Sequence, residues 1–248
     1  ANNLIVVEDV AQAFSGELNG QQAGTFGDIG IFSFHSHKNV STLGEGGMIV
    51  TPRDDFAAVI PMLRHNGHCA FDFPREQYWK PAMGNVDLPE LNGEPLMPNN
   101  YCLGEVECAL GAKLIDRIDA INADKRDRAL RFIDAIGEDT PLKFHRVDST
   151  RHTYHLLAAE FQNDQRDAFI EHMYSQKGVQ TIVQYYPLYR YDFYKKLGMG
   201  EANCPNTDRF FDNMISFPFH HCLSDEDFGY MLSATKSVIQ ELCTSYTS

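Results

Sequence analysis

The sequence predicts an α/β protein: a mixed sheet with helices at the front, then a long linking helix, then a small α+β domain. Three observations predict this. Short β-branched or apolar runs stand at 4–7, 29–34 and 48–51, each of strand length and bounded by turn residues. Between Leu103 and Gly137, apolar residues recur at 103, 106, 110, 114, 118 and 121, then at 129, 132, 133 and 136. That is the three-to-four spacing of a helical stripe. Beyond it, strand-like and helix-like segments alternate. The expected division is 1–100 for the first domain, 101–137 for the linking helix and 138–248 for the small domain.

Each element has a local reason. Residues 4–7 read Leu-Ile-Val-Val, a pattern for a strand buried on both faces, with Asp9 just past its end. Ligands of α/β sheets collect at the carboxyl ends of strands, so that position is well placed for chemistry. Residues 24–28 read as a turn, 29–34 as a second strand, and 39–47 as a glycine-containing loop. The third strand, 48–51, is stopped by Pro52. Lys38 therefore falls in a loop between two strands. Residues 54–64 have helical character with Asp at the start. Residues 69–100 are irregular and hold the only tryptophan, Trp79; loops of that length are usually functional or disordered. Further on, 154–161 reads as a strand, 165–176 as a helix ended by Gly178, and 181–186 as a strand. Residues 207–213 read as a short helix and 214–217 as a strand. A last helix starts at Ser224, where Ser-Asp-Glu-Asp resembles a capping box.

Composition narrows the function classes. The 248 residues carry a formal charge of −13, which disfavours nucleic acid and anionic membrane as partners. No apolar run reaches the length of a membrane span. The basic cluster Lys125, Arg126, Arg128 and Arg131 alternates with Asp124 and Asp127, as on a solvated helix face. Six cysteines, at 69, 102, 108, 204, 222 and 243, form no C-x-x-C pair and have no histidine at zinc-site spacing. No metal is expected. Reduced thiols and a cytoplasmic location are the simplest reading. No signal-like segment opens the chain. It begins at Ala1 without an initiator Met and enters its first apolar run at once, so an N-terminal part is expected to be missing.

The densest chemistry lies in the first fifty residues. Glu8-Asp9-Val10-Ala11-Gln12 precedes Gly24-Thr25-Phe26-Gly27-Asp28, then Ser33-Phe34-His35-Ser36-His37-Lys38-Asn39, then Gly44-Glu45-Gly46-Gly47. This block resembles the signature of the DegT/StrS-type sugar aminotransferases, which are pyridoxal-phosphate enzymes of the aspartate-aminotransferase-like fold. The likeness continues through Leu63-Arg64-His65-Asn66-Gly67, Asn100-Tyr101 with 105–110, Tyr154-His155-Leu156, 178–187, Pro218 and 223–225. It implies that 1–100 is the later part of a cofactor-binding large domain.

The resemblance also assigns roles. Lys38 is the Schiff-base candidate; free lysine titrates near ~10.4, so its site must disfavour the charged form. Asp9 would pair with the pyridinium nitrogen, or else serve as a turn or cap residue. Gln12 would donate to the ring oxygen and Ser33 would hold the phosphate. Asn100 either reaches the phosphate of a neighbouring subunit's cofactor, implying a homodimer with shared active sites, or is a turn residue. His155 either approaches the substrate or is a half-buried strand histidine; Arg64 either serves a substrate anion or ends its helix.

The implied reaction moves an amino group from glutamate or glutamine to a keto sugar, nucleotide-linked by the resemblance, in amino-sugar or surface-polysaccharide synthesis. Three departures bear on this. Family members begin well before the E-D-x-A-Q strand. The histidines of the H-Y-x-P-x-H stretch are replaced by Gln184 and Tyr189. His37 precedes Lys38, and a related dehydratase branch carries His in place of the lysine. The alternatives are therefore a sugar dehydratase of the same family, and a truncated non-catalytic or regulatory protein of the same fold.

Overall fold

Asp28 ties the first strands together. Its side chain accepts from Val6 N at 2.8 Å, its backbone carbonyl accepts from Thr51 Oγ1 at 2.7 Å, and Arg53 lies 3.4 Å from its carboxylate. The computed structural model describes residues 2, 4–67, 88–147, 151–162, 164–200 and 202–244. Its contacts divide into two units, Ala1–Ile118 and Asp119–Ser248.

In the first unit, β1 (Val7–Asp9) is followed by a small hairpin of β2 (Glu17–Leu18) and β3 (Gln21–Gln22), then β4 (Ile29–Ser33) and β5 (Gly47–Val50). β1 pairs parallel with β4, and β4 pairs antiparallel with β5, giving a mixed sheet in the order β1-β4-β5. The parallel pair needs a long crossover, and residues 10–28 supply it with turns and the β2–β3 hairpin. Phe14 packs edge-on to Phe32 at 5.2 Å and near Phe34 at 6.0 Å. Val10, Phe34, Val40 and Thr42 are buried. α1 (Asp54–Arg64) has the predicted bounds; β6 (Glu90–Leu91) and β7 (Glu94–Pro95) form a short hairpin, and α2 (Glu105–Ile115) ends the unit. Much of the expected irregular stretch, including Trp79, lies outside the described residues.

The first strand departs from the expected one. The strand begins at Val7, not Leu4, and Asp9 is its last residue rather than lying beyond it. Leu4, Ile5, Val6 and Val7 are exposed, not buried on two faces. Within the described residues β1 has a single partner strand, so an apolar run there lacks the second neighbour and facing layers that the pattern anticipates.

The 103–137 stretch is helical but broken. α2 closes with Asp116 N donating to Ala112 O and Arg117 N to Leu114 O, a tightened last turn. α3 (Ile118–Ile136) follows, and Gly137, at φ 79°, stops it in the left-handed region.

The second unit contains β8 (Leu142–Phe144), β9 (Leu157–Phe161), α4 (Arg166–Ser175), α5 (Asp192–Lys196), α6 (Pro205–Asn213), β10 (Met214–Phe217) and α7 (Asp225–Thr244). The sheet order is β10-β9-β8, all antiparallel. β9 alternates buried and half-buried residues, as a strand with one face on a core should. That core joins Phe132, Leu142, Phe161, Phe169, Met173, Ile215, Val238 and others. The expected strand at 154–161 is shorter because Tyr154 sits at φ 42°, outside strand geometry. The expected strand at 181–186 reduces to one bridge: Ile182 N donates to Ser216 O at 3.0 Å and Ser216 N to Ile182 O at 2.7 Å. Gln184 N donates instead to Met214 Sδ at 3.0 Å, so no ladder continues.

Candidate active site

The parallel register gathers the polar residues of the opening block. Asp9 stands opposite Ile31, and Val10 N donates to Ile31 O at 2.8 Å. Paired residues share a face and so do residues two apart. Asp9, Ile31 and Ser33 therefore lie on one face, at the carboxyl ends of adjacent strands, with Cα atoms of Asp9 and Ser33 roughly 8 Å apart from strand spacings. Asp9 is exposed. Its Oδ1 accepts from Ala11 N at 3.0 Å, which turns the chain toward Gln12. Gln12 is exposed on the turn closed by Ala13 N and Val10 O.

The loop after β4 is built by backbone pairing across its neck. Phe34 N donates to Gly46 O, Ser36 N to Gly44 O, each at 2.8 Å, and Thr42 N to Phe34 O at 3.0 Å. Thr42 is buried, and its Oγ1 donates to Glu45 O at 3.1 Å. A Cβ at Gly46 would lie 2.3 Å from that Oγ1, so the second glycine of G-E-G-G is a packing requirement. Lys38 sits on a turn closed by its own N–H and His35 O at 2.9 Å. It is half-buried, and no ion pair or hydrogen bond of its ammonium is found among the described residues. Ser33 Oγ accepts from His35 N at 3.3 Å, which leaves the hydroxyl proton to donate outward.

Two residues of the motif carry functions that spacing alone does not reveal. Glu8 shares its face with Gly30, opposite to Asp9. Its carboxylate accepts three backbone N–H groups, from Gly24 at 2.7 Å and from Phe26 and Gly27 at 2.6 Å. Burial pushes its pKa up, but those bonds from Gly27, Gly24 and Phe26 outweigh it and hold the carboxyl below its ordinary value. Gly24, at φ 91°, tolerates the turn that this requires, and a Cβ on Gly30 would lie 2.4 Å from Gly24 O. One carboxylate of Glu8-Asp9 thus fastens the crossover while the other faces the site. The second residue is His35, whose Nδ1 accepts from His37 N at 3.1 Å. The sequence signal for both was their presence in the block; their partners lie too far along the chain, or too close, for periodicity to find.

Asn100 and Arg64 are brought together. His65 bridges Asn100, Tyr101 N donates to Arg64 O at 2.8 Å, and Asn66 N donates to Asn99 O at 3.0 Å. Asn100 Oδ1 accepts from Cys102 N at 3.2 Å, the turn role that its type allows. Arg64 is exposed at the end of α1. His155 belongs to the second unit, where it is half-buried ahead of β9 and its carbonyl accepts from Lys125 Nζ at 3.1 Å.

The donor set of the first unit suits pyridoxal phosphate. An amine without a carboxylate partner, a carboxylate whose Oδ2 has no partner among the described residues, and a hydroxyl with a donatable proton share one end of one sheet. Among the described residues no cluster of His, Cys, Asp and Glu suits a metal ion, and no helix is long and apolar enough to cross a membrane.

Residues 1–236 match the model of the DegT/DnrJ/EryC1/StrS aminotransferase family. A UDP-4-amino-4,6-dideoxy-N-acetyl-β-L-altrosamine transaminase of Campylobacter jejuni is 30% identical over 251 residues, covering 98% of this chain and 61% of the relative. The chain thus spans about three fifths of that relative's length. Among solved structures, Helicobacter pylori PseC, an aminotransferase involved in pseudaminic acid biosynthesis, superimposes with a TM-score of 0.83 at 21% identity, over 96% of this chain and 60% of its own. The PLP form of Streptococcus pneumoniae Spr1654 gives 0.75 at 24% identity, over 96% and 58%. These two likenesses establish the fold.

Proposed function

The chain belongs to the DegT/DnrJ/EryC1/StrS aminotransferase family, and on that premise we propose that it carries the lysine-bearing part of a pyridoxal-phosphate-dependent sugar aminotransferase. The amino donor is glutamate or glutamine, and the acceptor is a keto sugar linked to a nucleotide. The product serves amino-sugar or surface-polysaccharide synthesis. The observation that supports this best is the placement of Asp9, Ser33 and the Lys38 turn at one end of the β1-β4-β5 sheet.

When bound, pyridoxal phosphate supplies the electron sink for the pair left as a Cα–H bond breaks. Asp9 would hold the ring nitrogen's proton through its carboxylate, and Gln12 would orient the ring oxygen. Ser33 Oγ would donate to the phosphate. Lys38 Nζ would tether the group, then take the proton from the donor's Cα and return one to the sugar carbon. Asn100 would reach the phosphate across a homodimer interface, and Arg64 would serve a substrate anion. The retained lysine supports amino transfer over the dehydratase alternative; a net gain of nitrogen by the sugar, as against loss of oxygen, separates the two.

The test is direct. Protein loaded with pyridoxal phosphate is expected to show visible absorbance that L-glutamate bleaches. Lys38→Ala is expected to lower turnover by about 10²–10⁴-fold. Full turnover in that variant would remove Lys38 from the mechanism.

A further inference from the structure

His35 stands between Ser33 and Lys38, and its backbone N–H, its carbonyl and its Nδ1 all serve the turn that separates them. Its N–H donates to Ser33 Oγ at 3.3 Å, and its carbonyl accepts from Lys38 N at 2.9 Å. Its Nδ1 accepts from His37 N at 3.1 Å, and its Nε2 faces Glu45 Oε1 at 3.7 Å. The His37 ring meets it edge-on at 4.8 Å. His35 also bridges Gly44, so the same residue fixes both arms of the loop.

The ring bond has a chemical consequence. A nitrogen that accepts from a backbone N–H carries no proton of its own, so a neutral His35 must hold its proton on Nε2. The Glu45 carboxylate lies 3.7 Å from that nitrogen, beyond hydrogen-bond distance. A side-chain acceptor for the N–H two residues on is the geometry that Asn and Asp supply in Asx turns. Here an imidazole supplies it, and the turn so formed delivers Lys38.

We propose that His35 is a positioning residue: as the Nε2–H tautomer, with its Nδ1 accepting from His37 N, it shapes the His35–Lys38 turn and sets the lysine amine relative to the Ser33 hydroxyl. This role rests on the assignment of Lys38 as the cofactor lysine. His35 touches neither substrate nor cofactor in this role. It acts through two backbone amides.

Two variants and two measurements test it. His35→Asn keeps a short side-chain acceptor for His37 N–H, and His35→Leu removes it. In cofactor-free protein, nitrogen NMR of the His35 ring should show the proton on Nε2. Amide exchange at His37 and Lys38 should quicken about two- to tenfold in His35→Leu and stay near the parent rate in His35→Asn. In the second measurement, protein mixed with pyridoxal phosphate is reduced with borohydride and the Lys38 peptide quantified. Labelling should fall in His35→Leu and recover in His35→Asn.

A proton on Nδ1, or exchange rates equal in parent and His35→Leu, would overturn the proposal. So would failure of Asn to restore labelling in a protein whose circular dichroism matches the parent's. If the parent itself is never labelled at Lys38, the cofactor assignment fails, while the ring tautomer and amide exchange still decide the role of His35 in the turn.

Discussion

Lys125, expected on a solvated helix face, instead carries its amine into the interior of the second unit. It is 4% exposed, donates to His155 O at 3.1 Å and lies 5.1 Å from the Phe219 ring centre. Burial pushes its pKa down to about 8, because a low-dielectric surrounding disfavours the charged form. In the unfolded chain a lysine titrates near ~10.4. Between these values the unfolded state binds more protons, so stability should rise with pH, by up to about 3 kcal/mol across the window, and stay at its lower level below pH 8. Urea unfolding between pH 7 and pH 10 checks this, and Lys125→Met should flatten the dependence.

Glu8 has the opposite sign. Its folded pKa is lowered, so its contribution is present above the ordinary carboxylate pKa and lost as pH falls through the lowered one. Glu8→Gln should expose the Gly24, Phe26 and Gly27 amides to faster exchange at neutral pH, because a neutral amide oxygen accepts more weakly than a carboxylate. Unchanged protection would mean that the turn holds without the clamp.

At the level of elements, α7 shows what local sequence can specify. Asp227 N donates to Ser224 Oγ at 3.0 Å, and that hydroxyl donates to Asp227 Oδ2 at 2.6 Å, a reciprocal cap within four residues. Ser224→Ala should cost about 1 kcal/mol in thermal or denaturant unfolding, and Ser224→Thr much less. The bounds of α1, β10 and the start of α7 were legible because caps, prolines and short apolar runs fix them locally. The break between α2 and α3 was not, since apolar spacing continues through 114 and 118 while the backbone turns at 116–117. The 181–186 segment misled for a related reason: it carries strand-like residues, yet only Ile182 finds a partner. β8 escaped notice because its three residues are too short for a period. In the site, Asp9, Ser33 and Lys38 could be named from the motif. The clamp made by Glu8 could not, because its partners lie 16 to 19 residues away.

Taken as a whole molecule, the two units bury their apolar residues very differently. Phe132 is 0% exposed and touches Phe144, Phe217 and Phe228 at ring separations of 5.2–5.9 Å. It joins α3 to the β10-β9-β8 sheet and α7, so truncation there leaves a cavity that its rigid neighbours cannot fill. In the first unit the sheet presents apolar residues outward: Ile31 is 40% exposed and Ile49, its register partner, 49%. The loss on truncating Ile31 is then limited, because much of its surface is already in water. Phe132→Ala should destabilise the second unit by about 3–5 kcal/mol, whereas Ile31→Ala should cost under about 1 kcal/mol. Hydrogen exchange resolved by peptide reads each unit separately and so avoids assuming a single transition. A cost at Ile31 as large as that at Phe132 would show that the exposed sheet face is covered in solution, and the face so covered is the one that bears Asp9 and Ser33.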